Sequence, residues 1–271
     1  MFQCELCGRE LESEYAFCPF CGEPRQQSIG GLMDDELRGK INAILHGTER
    51  RLQAVIGAFS RYIEVPVVDS IITGDMAGLT GVRRNVTVIF SDIRNSSGIV
   101  ARVEPEQALE LLNHHHDRMA AAIQATDGVL DKFMGDGMLA FYTHGKPSEH
   151  ARQAVNAALQ MRAYVAETNE DWPIAEIPLR IGIAINNGEA VIGSVGSRYR
   201  QDYTAIGAEV NYVDDLQDMA KQHSVDIVIS RSTYDLLADD VEAEEIGTLK
   251  RPPDDQDEPA YHVLRLRPAS P

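Results

Sequence analysis

NVTVIFSDI, residues 85–93, is a β-branched and apolar run that closes on an acid, and it reads as a strand. Downstream, VLDKFMGDGMLAFY (129–142) reads as two strands around a Gly-Asp-Gly tip, a hairpin pattern. Between them, residues 104–125 carry a helical period with an acidic first turn. Residues 148–168 are again helical, with the apolar stripe in HARQAVNAALQMRAYV. LRIGIAINNGEAVIGSVG (179–196) reads as two more strands around Asn-Asn-Gly. YTAIG (203–207) is a short strand, and residues 208–222 make a helix. VDIVIS (225–230), a helix from Ser232 to Leu237 and AYHVLRL (260–266) complete the pattern. Strands alternating with helices, with hairpins included, predict an α+β domain, one mixed sheet with helices on one face.

The chain around this domain is 271 residues long, with 25 Lys and Arg against 42 Asp and Glu and a net charge of −17. The acid excess argues against non-specific nucleic-acid binding, which needs a basic face for phosphate. It argues against an anionic membrane surface for the same reason. No apolar run approaches the roughly 18 residues that would span a bilayer. The first residues, MFQCELCGRE, lack the basic and then apolar order of a secretory signal, so the expected address is cytoplasmic. The acidic stretch from Asp235 to Glu258 reads as a solvated face or loop.

All four cysteines lie near the start: Cys4, Cys7, Cys18 and Cys21 form C-x2-C-x10-C-x2-C, each pair followed by Gly. Four thiolates suit a tetrahedral zinc, and a filled shell makes that Zn²⁺ structural, or part of a docking knob for a protein partner. Two disulfides in a secreted module are the alternative, which a cytoplasmic address disfavours. Residues 1–24 are therefore expected to be a zinc ribbon and 25–80 a linker with a dimerisation helix. In that linker Ile41, Leu45, Leu52, Val55, Phe59 and Tyr62 step by heptads, with Thr48 filling the gap. Such a short seam reads either as a helix packed on its own domain or as a parallel dimer stalk. Residues 81–267 form the main domain.

FSDIR (90–94), LDKFMGDGMLAF (130–141), RIGIAINNGEAVIGSVGS (180–197) and DYTAIGAEVN (202–211), in that order, resemble the class III nucleotidyl cyclase domain. FSRYIEVPVVDSIITGD (59–75) resembles the segment often found before such domains. The resemblance implies a ferredoxin-like βααββαβ core that works as a dimer, here a homodimer, with active sites between subunits. It implies conversion of a nucleoside triphosphate into a 3′,5′-cyclic monophosphate and pyrophosphate.

That reaction is an in-line attack of the ribose 3′-hydroxyl on the α-phosphate, which asks for positioning and charge neutralisation. Hard cations such as Mg²⁺ or Mn²⁺ take carboxylate oxygens. Asp92 ends one expected strand and Asp136 sits at a hairpin tip, a candidate site for two such ions. The resemblance adds the backbone carbonyl of Ile93. The alternative is that Asp92 caps a turn and Asp136 fills a Gly-Asp-Gly hairpin. The loop 94–98, with Ser97, offers N–H groups and hydroxyls to phosphate, although Asn95 stands where the family usually has Gly. By resemblance Lys132 reads the base and Thr204 its exocyclic group; a Lys/Thr pair resembles the adenine-reading branch, hence an adenylate cyclase. Asn211 matches the residue that orients ribose across the dimer, and Lys250 matches a phosphate-contacting lysine.

A second position departs from the family, and more sharply. Four residues after Asn211 the family places an Arg that stabilises charge in the transition state; this chain has Asp215. Losing one such donor costs about 3–4 kcal/mol, or roughly 10²–10³ in rate. A catalytically weak or inactive cyclase-like module is therefore the alternative reading, with a cyclase of another nucleotide preference beside it. Arg198, Arg200, Lys250 and Arg251 are the cations available to replace the missing charge. His114, His115 and His116 are consecutive on a helix, so they face three directions and form no single metal face.

Overall fold

A computed structural model describes residues 81–170, 177–197, 201–237, 239–251 and 256–267, with Phe2–Gln3, Glu10–Leu11 and Val67. The chain divides into two compact units, Met1–Tyr62 and Ile63–Pro271. In the first, strand β1 (Phe2–Gln3) pairs antiparallel with β2 (Glu10–Leu11), bracketing residues 4–9. The four cysteines and the heptad seam lie outside the described residues.

The second unit is built on an eight-stranded mixed sheet. Its elements run β3 (Val82–Ile93), α1 (Ser96–Val100), α2 (Pro105–Gln124), β4 (Val129–Met134), β5 (Gly137–Tyr142) and α3 (Pro147–Thr168). They continue with β6 (Ile181–Gly196), β7 (Gln201–Ile206), α4 (Ala208–His223), β8 (Ile227–Ser230), α5 (Arg231–Leu237), β9 (Val241–Arg251) and β10 (Gln256–Leu266). The sheet order is β4-β5-β3-β6-β8-β10-β9, with β7 paired to the far end of β6. β6 and β8 are parallel; every other pairing is antiparallel.

Helices cover both faces of the sheet, not one. Ile89 and Ile93 of β3 pack with Met119 and Ile123 of α2 and with Ala154, Ala158 and Met161 of α3. Val86 and Val88 point the other way, into a second core with Val210, Val213 and Leu216 of α4. A central strand apolar on both faces reads as a continuous run rather than an alternation, and VTVIF is such a run.

Two sequence expectations change in register. IGIAINNGEAVIGSVG (181–196) is one strand, because its Asn-Asn pair finds partners on α4 and β3. Asn186 donates to the Glu209 carbonyl at 2.8 Å, and Asn187 donates to the Val86 carbonyl at 3.1 Å and Thr87 Oγ1 at 2.9 Å. The acidic stretch is a largely solvated strand face rather than a loop: residues 241–251 form β9, laid against β10 with two irregularities in register.

Helix ends follow their local chemistry. α2 opens with Pro105 at its first turn and a Glu104 N–H donated to Gln107 Oε1 at 3.1 Å. It closes with Asp127 left-handed at φ 60° and the Gly128 N–H donated to the Ile123 carbonyl at 2.9 Å.

Candidate active site

β3 ends at one edge of the domain with Asp92 and Ile93, and the β4–β5 hairpin carries Asp136 to the same place. The Ile93 N–H donates to Asp136 Oδ2 at 3.2 Å. Gly135, left-handed at φ 67°, makes the tip turn. Burial raises Asp92 above the usual carboxylate range; the neighbouring Arg94 opposes this and the Asp136 charge adds to it. Two like charges converging there favour a cation. Two carboxylates and a main-chain carbonyl are hard oxygen donors, so the residues present fit Mg²⁺ or Mn²⁺.

Asp92 is held from two sides. Gln217 of α4, 5% exposed, donates through Nε2 to Asp92 Oδ1 at 2.6 Å and to the Gly182 carbonyl at 2.8 Å. Arg94 Nη1 lies 3.4 Å from the same carboxylate oxygen. The Arg94 guanidinium occupies the space that a Cβ at Gly182 would need. Asn95 follows, left-handed at φ 58°. Asn tolerates that conformation better than most residues, which explains how it stands in for Gly. His116 braces the acidic tip, with Nε2 3.0 Å from the Gly135 carbonyl and its ring 4.2 Å from that of Phe133.

A second cluster forms where β4 meets β7. The register of β4 against β5 slips between Leu130 and Lys132, so Asp131 is the extra residue of a β-bulge. Simple alternation would put Leu130 and Lys132 on one face; the bulge breaks that alternation between them. The bulge turns Asp131 inward, its side chain 0% exposed, with Lys132 beside it at 35%. Thr204 Oγ1 donates to Asp131 Oδ2 at 2.6 Å, and the Ala205 N–H reaches the same oxygen at 3.4 Å. Lys132 Nζ donates to Thr204 Oγ1 at 3.2 Å and lies 3.1 Å from Asp131 Oδ1. Burial raises the Asp131 pKa, while Thr204 and Lys132 pull it back.

The remaining sequence candidates are exposed on separate elements: Ser97 on α1, Asn211 on α4 and Lys250 on β9. Asp215 is exposed on α4 as well, four residues after Asn211. Asp214, between them, is raised by burial and by Asp215 and Asp218. Arg251 does not answer this acidity. It is bound to Glu209 at 2.7 Å and Glu258 at 2.9 Å. Arg198 and Arg200 lie outside the described residues.

The family of adenylate and guanylate cyclase catalytic domains matches residues 81–257. The chain belongs to this family. Its cyclase domain is similar to adenylate cyclase 1 of Rhizobium meliloti, 29% identical over 209 residues, which are 76% of this chain and 31% of that protein. An adenylate cyclase of Anabaena cylindrica is 27% identical over 217 residues, 77% of this chain and 42% of that one. The chain thus spans less than half the length of these relatives. Among solved structures, the adenylyl cyclase CyaB from P. aeruginosa superposes with a TM-score of 0.63 at 30% identity, covering 71% of this chain and all of that one. The guanylyl cyclase Cya2 superposes with a TM-score of 0.62 at 28% identity, covering 70% and 96%.

Within the cyclase domain, the structure brings Asp92, Ile93 and Asp136 together, and Lys132 with Thr204. Sequence reading missed Asp131, Gln217 and His116. Asp131 sits beside Lys132 in LDKF, but only the bulge turns it inward. Gln217 and His116 act across elements far apart in sequence, and no local pattern announces such a contact.

Proposed function

We propose that the chain is a class III adenylate cyclase, converting ATP into 3′,5′-cyclic AMP and pyrophosphate in grooves shared by two copies of the chain. The observation that carries this reading is Asp136 accepting the Ile93 N–H, which brings it beside Asp92, within a cyclase-family fold. Asp92, Asp136 and the Ile93 carbonyl would hold two Mg²⁺ or Mn²⁺ ions, which supply charge neutralisation for the attacking and leaving oxygens. Lys132 donates to N1 of adenine and Thr204 faces the exocyclic amine. Ser97 and the N–H groups of its loop bind phosphate, with Lys250 as a further phosphate contact. Asn211 orients the ribose bound in the partner copy.

A dimer is supported by apolar side chains in the open on β4, β6 and β7. Phe133 is 44% exposed, Met134 47%, Val195 47% and Ile206 49%, and such surface marks interaction sites. Cys4, Cys7, Cys18 and Cys21 are proposed to hold one structural Zn²⁺, in a ribbon that offers a docking point to a protein partner. The acid excess supports a cytoplasmic protein that binds neither nucleic acid nor membrane; among the described residues no helix is long and apolar enough to cross a membrane.

Exposed Asp215 supports a second reading, a cyclase-like module with weak or no turnover. Purified protein is incubated with Mn²⁺ and each of the four ribonucleoside triphosphates, and pyrophosphate is measured. Release from ATP supports the first reading; no release from any, by folded dimeric protein, establishes the second.

A further inference from the structure

The hydroxyl of Thr204 has one proton to give and two lone pairs to receive with. Both its proton and one lone pair are already committed inside the fold. The proton goes to Asp131 Oδ2 at 2.6 Å, and Lys132 Nζ donates into one lone pair at 3.2 Å. One lone pair is left. Asp131 fixes this polarity, because an ionised carboxylate only accepts. Burial opposes its ionisation, but two donors, Thr204 and the Ala205 N–H, and the Lys132 ammonium 3.1 Å from its other oxygen favour the ionised form. The bulge in β4 places it there, in a side chain fully withdrawn from solvent.

We propose that Asp131 is a specificity-positioning residue: by holding the Thr204 proton it makes that hydroxyl a pure acceptor toward the base. This deepens the adenylate cyclase reading and rests on it. Adenine offers an acceptor at N1 and a donor at its exocyclic amine. Lys132, a donor, and Thr204, an acceptor, match both. Guanine offers the reverse, a donor at N1 and an acceptor at O6, so both contacts fail. Without Asp131 the Thr204 hydroxyl would be free to rotate and donate to O6. The pair Lys132 and Thr204 alone leaves that choice open; the buried acid closes it.

The test uses the full chain with Mn²⁺ and the non-cyclising probes 3′-deoxy-ATP and 3′-deoxy-GTP, so it reads binding whether or not turnover survives Asp215. The wild type is expected to bind the adenine probe at least tenfold more tightly. Asp131→Asn, which can turn an N–H toward Thr204, is expected to narrow that preference about tenfold. In a Thr204→Val background the same substitution should leave the ratio of the two dissociation constants unchanged, since no hydroxyl remains to orient. Should Asp131→Asn fail to fold, Asp131→Ser replaces it with the same expected outcomes. A ratio untouched by the variant, or one that shifts equally in the Thr204→Val background, overturns the inference and leaves the cyclase reading standing. A wild type without base preference also overturns the inference alone. A wild type that binds neither probe overturns both.

Discussion

Asp215 stands in the open on α4, one helical turn past Asn211. Asp215→Arg changes the sign of that position without entering the core, and is expected to raise pyrophosphate release from ATP by about 10²–10³. Equal rates for variant and wild type would show that the acid has a compensated role of its own. His115 is the opposite case, 3% exposed with Nδ1 lacking a hydrogen-bond partner. Burial and the adjacent His116 lower its pKa to about 4, against the opposing pull of Asp136. An unfolded histidine titrates near 6.5, so the folded chain binds fewer protons below that value. Stability from this residue is complete above about pH 6.5 and drains as the pH falls toward 4. Between pH 7.5 and 5 the loss is about 2 kcal/mol. Urea unfolding at both values should show His115→Phe with a drop smaller by that amount; equal drops refute it. Asp92, Asp136, Lys132 and Thr204 were legible because their neighbours in sequence form motifs. Asp131 was not, because its role comes from a bulge, and a bulge leaves no mark in periodicity.

At the scale of elements, the hairpin 129–142 and the long helices were readable from turn chemistry and apolar spacing. Asn186-Asn187-Gly188 misled for a physical reason: its amides find partners across β3 and α4, so a turn signal lies inside a strand. The second helical face was also hidden. Reading it required β3 to be recognised as apolar on both sides. The link from α2 to β4 makes a test of packing. A Cβ at Gly128 would come within 2.7 Å of Ile123 Cγ2 and of the Tyr142 ring. Tyr142 is itself fixed, its hydroxyl 2.8 Å from Thr126 Oγ1. Gly128→Ala is expected to cost about 1–3 kcal/mol, read as an earlier urea midpoint with an unchanged slope. Wild-type stability would mean that this turn relaxes freely.

At the scale of the molecule, the proposed shared grooves predict complementation. Asp92→Asn and Asn211→Ala should each abolish turnover alone. Mixed after unfolding and refolding, they should recover roughly a quarter of wild-type activity, because half the dimers are mixed and each keeps one intact groove. No recovery would confine each site to one chain. For the amino-terminal unit, one zinc per chain by elemental analysis, lost in Cys18→Ser, is the expected result; folded wild-type protein free of zinc refutes the ribbon. α4 ties these scales together. It grips Asp92 through Gln217 and carries Asn211 exposed less than two turns away. In the proposed twofold assembly, nucleotide held by Asn211 would pull, through less than two turns of stiff backbone, on the carboxylate assigned to the opposite cavity. The proposed assembly therefore predicts that filling one cavity changes the affinity of the other, read as a nucleotide titration that departs from a single hyperbola; a single hyperbola refutes it.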